Sequence, residues 1–397
     1  MILFTHKKDC CACEACANVC AKEAISMQED ENGFRYPQID NTKCVECGLC
    51  SKVCAYQNIK ETNTAKDVYV AASKDNEQII RSASGGIFAV IAKDIINKGG
   101  IVCGSTLSIK NNKVCIEHIL VDRVEDISKL QGSKYVQSNI NGCYKQIKQH
   151  LTDGRTVLFS GTPCQCAGLK AFLRKPYENL FIIDIICHGV PNQKLLNDYL
   201  EYKHTRKGKI TNFAFRDKSK GWGLLGRVDY ENGKSQTIPA GLSSFYSFFL
   251  DSQIYRENCY KCKYASQNRP GDLTLGDYWG IEREHPELIA SKRYNPKDGI
   301  SCIITNTPKG ADLLQNILDS IIMDSSTYEK IANRNKQLLQ PSNRGKYYDE
   351  IFNAYRKSGY KAVDKIFYRH YKKQILIHSI FSKLPFGLKE KIRKILK

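Results

Sequence analysis

The chain has 397 residues, enough for two or three domains and a sizeable core, and no apolar run approaches the roughly 18 residues that a membrane-spanning helix needs. Its 18 cysteines argue for bound metal rather than disulfides. The N-terminus lacks the apolar stretch of a secretory signal, so a cytoplasmic protein is the expectation. The net charge of +19 excludes little: residues 330–397 hold 18 Lys/Arg against 4 Asp/Glu, so the basicity belongs to the tail and the body is nearly balanced.

Residues 1–58 contain one pattern twice, Cys10-x2-Cys13-x2-Cys16-x3-Cys20 and Cys44-x2-Cys47-x2-Cys50-x3-Cys54. This is the bacterial ferredoxin spacing, in which the fourth cysteine of each run crosses to the other cubane. Cys10, Cys13, Cys16 and Cys54 are therefore assigned to one [4Fe-4S] cluster, and Cys44, Cys47, Cys50 and Cys20 to a second. Ala21 and Ala55 stand where proline often follows, and Cys11 is an extra thiol in the first loop.

A polar linker over 59–66 leads to a strand at 68–73. Ser84-Gly85-Gly86 then precedes a helix over 87–96, with Ser84 as N-cap candidate and two glycines that would let a phosphate approach free backbone N–H groups. Ile101–Leu107 and Lys113–Val121 read as a strand pair turning at Asn111-Asn112. By composition, residues 131–138 read as a surface loop. Lys134 in it is either solvated or placed to neutralise a phosphate or the N1 edge of a flavin.

Residues 156–191 form the organising unit: an apolar strand ending in Gly161-Thr162-Pro163-Cys164, a helix over 167–174, and a second apolar strand ending in Cys187-His188. Such a unit makes neighbouring parallel strands, with their carboxyl ends on the edge where open α/β sheets bind ligands. Cys259-x2-Cys262 supplies two further thiols, so Cys164, Cys187, Cys259 and Cys262 could hold another cluster, zinc being the main rival. Cys166 could ligate in place of Cys164. His188 is a candidate proton or hydrogen-bond donor, against a merely structural role.

Next come a helix over 192–206, β structure at 210–215 and 226–237 turning at Asn232-Gly233, an aromatic segment at 245–250, and strands near 272–277 and 300–305. From Pro308 the pattern turns helical. At its end Leu388, Ile392, Ile395 and Leu396 form one face of a basic amphipathic helix, suited to a membrane surface, a partner, or its own domain. The tyrosines between 347 and 371 invite a nucleic-acid reading, but no recognition module accompanies them, so no nucleic-acid partner is expected.

Seven stretches together resemble the coenzyme F420 hydrogenase/dehydrogenase family of β-subunits: Ser84-Gly85-Gly86, Gly132–Gln137, Phe159–Gln165, Ile186–Pro191, Phe215–Trp222, Cys259-x2-Cys262 and Leu275–Gly280. The resemblance covers roughly residues 5–310. It implies FAD near Ser84, Gly85, Gly86, Gly132, Ser133, Lys134, Tyr135, Gln137, Gly161 and Thr162. It also implies a third [4Fe-4S] cluster on Cys164, Cys187, Cys259 and Cys262.

The expected fold class is α/β (α+β): a core of parallel strand–helix–strand units, a small ferredoxin-like N-terminal domain and a helical basic C-terminal tail. The expected domains are 1–58 (two-cluster ferredoxin), 67–145 and 146–310 (the two parts of the core) and 311–397 (the tail). The expected function is an FAD- and iron–sulfur-dependent oxidoreductase. It would exchange electrons with a ferredoxin-like or other redox protein, and hydride with a small organic donor or acceptor, F420-like or other. An electron-transfer adaptor without its own substrate chemistry is the alternative, and a zinc-stapled nucleic-acid binder a third. The tail leaves room for peripheral contact with the inner membrane face.

Overall fold

A computed structural model describes residues 3–59 and 62–383. The basic amphipathic segment with Leu388, Ile392, Ile395 and Leu396 lies outside the described residues. The centre of the molecule is an eight-stranded mixed sheet. Its strands are β1 (Val68–Ser73), β2 (Ile101–Lys110), β3 (Lys113–Val121), β4 (Val157–Gly161), β5 (Leu180–Ile185), β6 (Leu273–Asp277), β7 (Ser301–Thr305) and β8 (Ile321–Ser325). Their order is β8-β1-β7-β6-β5-β4-β2-β3. The middle pairs β6·β5, β5·β4 and β4·β2 are parallel, and the flanking pairs are antiparallel.

The parallel centre follows from the apolar runs at 157–161 and 180–185. Successive side chains of a strand point to opposite faces, so both faces must be covered. Val157, Phe159 and Ile182 pack under the helices Cys143–Thr152 and Pro163–Leu173. Leu158 and Ile183 pack under Ile87–Asn97 and Pro308–Gln315 on the opposite face. The β2–β3 turn falls at Asn111 and Asn112, both left-handed, the backbone that a two-residue hairpin turn demands.

Beside the sheet, strands 210–214, 225–230 and 235–239 form a small antiparallel sheet. Its aromatic core takes Phe245, Tyr246, Phe248 and Phe249 from the helix Ser244–Leu250, and Tyr348, Tyr355, Tyr360 and Tyr371 from the C-terminal region. These tyrosines are buried packing residues. The long helix Tyr348–His370 kinks at Ser358-Gly359.

The purely helical reading from residue 308 is corrected at Ile321–Ser325, which is the edge strand of the main sheet, paired with β1. Its Ile-Ile-Met-Asp-Ser sequence lacks clear alternation, so only pairing with a distant strand identifies it. A second correction concerns Ser84. The helix Ile87–Asn97 is capped by Gly86 in the left-handed region, and the Ser84 hydroxyl instead donates to Ile300 O at 2.7 Å.

Candidate functional site

The two N-terminal cysteine loops have matching backbones. Ala12 and Glu14 in the first, and Glu46 and Gly48 in the second, are left-handed at the same offsets from Cys10 and Cys44. Three of these are non-glycine residues held in a conformation that costs roughly 1–2 kcal/mol each, a strain that wraps the loop around whatever its thiols hold. Cys10, Cys13, Cys16 and Cys54 line one cavity together with Cys11 and Cys50. Cys44 and Cys47 lie close enough to Cys50 to influence its ionisation, and Cys20 Sγ accepts the Ala24 amide at 3.4 Å.

The ferredoxin-like unit is clamped to the core. The buried Glu14 carboxylate accepts the amides of Ile140 and Asn141 at 3.1 and 2.9 Å. Gln137 donates to Cys11 O at 2.8 Å and accepts Arg256 Nε–H at 2.9 Å. Gln137, expected near FAD, therefore grips the first cysteine loop instead.

In the core, Cys164, Cys187, Cys259 and Cys262 line a single cavity with Cys11. Three segments bring the four core cysteines there. Cys164 sits in the first turn of the helix Pro163–Leu173, which Thr162 and Gln165 close with a reciprocal capping box. Cys187 follows β5, and Cys259 lies in the 3-10 turn Glu257–Lys261, with Cys262 just beyond it. Arg269, fully buried, binds Asp184 of β5 at 2.6 Å and also donates to Tyr264 O and Ile185 O, tying the Cys262 segment to the strand that leads to Cys187. Burial pushes the thiols of Cys187 and Cys262 up to about 12 and about 11, whereas a hydrogen bond with Cys11 holds Cys164 down at about 7. Cys166 is fully buried, with its thiol directed to Gly161 O and Ile183 O under the sheet, away from this cavity. Among the described residues, no three His, Cys, Asp or Glu side chains close on a single metal ion; these thiols ring a cavity instead.

A second, larger cavity of about 440 Å³ opens at the carboxyl ends of the parallel strands. Ser84, Gly86, Gly132, Ser133, Lys134, Tyr135, Gly161 and Thr162 line it, whereas Gly85 lies behind the wall. A Cβ on Gly85 would meet Ala71 O at 2.7 Å, and its amide donates to Ser301 Oγ at 2.9 Å. The amino end of the helix Ile87–Asn97 contributes Ile87 and Phe88. Lys134 is not a solvated lysine: its ammonium caps Leu130 O and Gln131 O, and burial lowers it to about 7.

His118 also lines this cavity, and burial lowers it to about 4. Neutral, it donates from Nε2 to Ser160 O and accepts the Ser138 hydroxyl at Nδ1, each at 3.0 Å. Arg216 forms part of the wall. Its Nη1 donates to Asp277 Oδ2 at 2.7 Å and its Nε to Gly223 O at 3.0 Å, while its buried Nη2 has no partner. No role for His118 or Arg216 was evident from sequence; the charged and aromatic run 215–222 was the nearest signal for Arg216, and His118 reads only as a strand residue. His188 lines both cavities, as do Thr162, Cys187, Gly189 and Val190, so one wall separates the thiol cavity from the larger one.

This fold and these sites define an iron–sulfur protein with a cofactor-sized cavity at the edge of an α/β sheet. Residues 154–330 match the family described as the C terminus of the coenzyme F420 hydrogenase/dehydrogenase beta subunit, and residues 9–58 match the 4Fe-4S dicluster domain. The chain is 24% identical over 208 residues to the F subunit of F(420)H(2) dehydrogenase from Methanosarcina mazei, covering 48% of this chain and 58% of that protein. It is 24% identical over 196 residues to coenzyme F420-dependent sulfite reductase of Methanocaldococcus jannaschii, covering 48% of this chain and 29% of that protein. A chain of the F420-reducing [NiFe] hydrogenase complex from Methanosarcina barkeri aligns with a TM-score of 0.45 and 18% identity, over 77% of this chain and 92% of that one. No described helix is long and apolar enough to cross a membrane.

Proposed function

We propose that the chain is an iron–sulfur flavoprotein oxidoreductase that relays electrons between a redox-protein partner and FAD, and exchanges hydride with an organic substrate. The observation that carries this reading is the shared wall: Thr162 and Cys187 to Val190 face the ring of four thiols on one side and the 440 Å³ cavity on the other. Four soft thiols spaced around a cavity fit a cubane better than one zinc ion.

The larger cavity fits an anionic dinucleotide. Lys134 and Arg216 line it, and the free N–H groups at the start of the helix Ile87–Asn97 favour phosphate. Flavin exchanges electrons singly or in pairs, which is the conversion that clusters and a hydride partner require of an intermediary. The chain's own residues would bind and orient it: Ser84 to Gly86 as a close-approach turn, Lys134 as a positive partner, and Ile185 and Ile186 as an apolar floor. His188, at the shared wall, would donate a proton or hydrogen bond.

Both curated relatives carry F420 in their names, which supports a deazaflavin as hydride partner. The chain spans only part of each, so the substrate and the partner protein remain with this proposal. The test is anaerobic stopped-flow mixing of the purified protein with reduced F420, NADH and NADPH in turn. Bleaching of a stoichiometric flavin by one of them supports the reading. Bound flavin that none of them reduces, while reduced ferredoxin does, supports an electron adaptor instead. Protein without flavin refutes the proposal.

A further inference from the structure

The two N-terminal cysteine sets are not placed alike. The first is pressed into the core. Gly168, one turn beyond Cys164 on the same helix, leaves no room for a side chain, because a Cβ there would lie 2.8 Å from Cys13 Cβ and 3.0 Å from Cys13 Sγ. The buried Cys11 thiol meets the thiols of both Cys13 and Cys164. Cys11 also lines both the cavity of Cys10, Cys13, Cys16 and Cys54 and the cavity of the four core thiols. Hydrogen bonds lock this seam: Tyr264 donates to Ala55 O at 2.5 Å and Tyr56 to Lys261 O at 2.7 Å, besides the Glu14 and Gln137 clamps. The second set is the more open at one loop: Cys47 is exposed, Cys44 half-buried and Val45 between them 60% exposed, while Cys50 is buried.

We propose that the two N-terminal clusters act in a fixed order. The Cys44, Cys47, Cys50 and Cys20 site is the outer end, exchanging electrons with a one-electron redox protein. The Cys10, Cys13, Cys16 and Cys54 site is the relay to the core thiols, across the Cys13–Cys11–Cys164 contact. Cys11 is then a contact residue rather than a ligand, and Gly168 is the positioning residue that sets the gap. Each transfer moves one electron, oxidising the donor centre and reducing the acceptor, and no covalent bond changes. Two such transfers balance one hydride. The order rests on reading the four core thiols as a cluster site.

The experiment is electron paramagnetic resonance of the full-length, anaerobically purified, dithionite-reduced protein, with iron counted in each sample. The wild type is expected to contain about twelve irons and to show magnetic interaction between the relay and core clusters. Cys47→Ala, which disturbs only the outer site, should lose up to about four irons and retain that interaction. Gly168→Ala and then Gly168→Val should weaken it progressively while iron content stays at the wild-type level.

Interaction unchanged in Gly168→Val at full iron content, or abolished in Cys47→Ala with the other two clusters present, overturns the order. Should Gly168→Val fail to fold, Cys11→Ala carries the test, because it removes the contact without adding bulk. Weakened coupling at full iron supports the proposal, and unchanged coupling overturns it. Wild-type protein with only about eight irons would instead refute the core cluster on which the order rests.

Discussion

The indole of Trp222 lies flat on that of Trp279, with ring centroids 4.4 Å apart and planes within 4°. Arg216 covers the pair, 5.3 Å from the Trp279 centroid and 6.0 Å from that of Trp222. Asp277 joins the group, accepting Arg216 Nη1–H on one oxygen and the Trp222 indole N–H on the other. A guanidinium so held has spent its freedom before any ligand arrives. Arg216→Met should therefore weaken an anionic occupant of the cavity about tenfold or more, the worth of a hydrogen bond between charged groups. The dissociation constant of FAD, measured by fluorescence on flavin-depleted protein, checks this.

Lys134 links that cavity to pH. Burial lowers its ammonium from 10.5 to about 7, with the neutral His118 close by. Between those values the unfolded chain binds more protons than the folded one, so the stability of flavin-free protein should rise as pH increases across that window. Below about pH 7 the penalty is present in full. An anion bound beside Lys134 restores the charge, so binding FAD at pH 8 should take up a proton. Calorimetry in buffers of different ionisation enthalpy should detect that uptake in the wild type and not in Lys134→Met.

The Arg269–Asp184 pair, 1% and 0% exposed, predicts a stability effect. Arg269→Met leaves Asp184 buried and uncompensated, which costs about 3–5 kcal/mol. Anaerobic urea denaturation should show that loss, together with release of iron from the core thiols ahead of the N-terminal set. A change below about 1 kcal/mol would mean that the pair is not holding the Cys262 segment.

Gly85→Ala probes the turn behind the cavity wall. Its Cβ would press on Ala71 O and Ser301 N, both backbone atoms that cannot move aside cheaply. The overpacking should cost about 1–3 kcal/mol and distort the Ser84–Gly86 approach. Flavin retention on gel filtration should fall, with N-terminal iron unchanged.

The parts of this molecule that were legible in its sequence are those whose signal is local. Apolar runs of five or six residues around a short helix define the parallel pair β4·β5, and the doubled cysteine spacing defines the dicluster unit. What escaped depends on distant partners. Ile321–Ser325 is a strand only because β1 offers it an edge. Gln137 looked like part of a cofactor loop because its neighbours line the cavity, yet its amide reaches the backbone at Cys11. Cys166, two residues beyond Cys164, points the other way because the helix turns between them. Gly168 reads as an ordinary helical glycine until Cys13 is seen against it.

On the proposed function, Cys164, Cys187, Cys259 and Cys262 hold a cluster against a flavin across one wall. Iron and flavin analysis of anaerobically purified wild type and Cys187→Ala tests it most directly. The account predicts about twelve irons and one FAD per wild-type chain, falling to about eight irons in the variant, with the N-terminal clusters intact. About eight irons in both proteins, or a wild type without flavin, would contradict it.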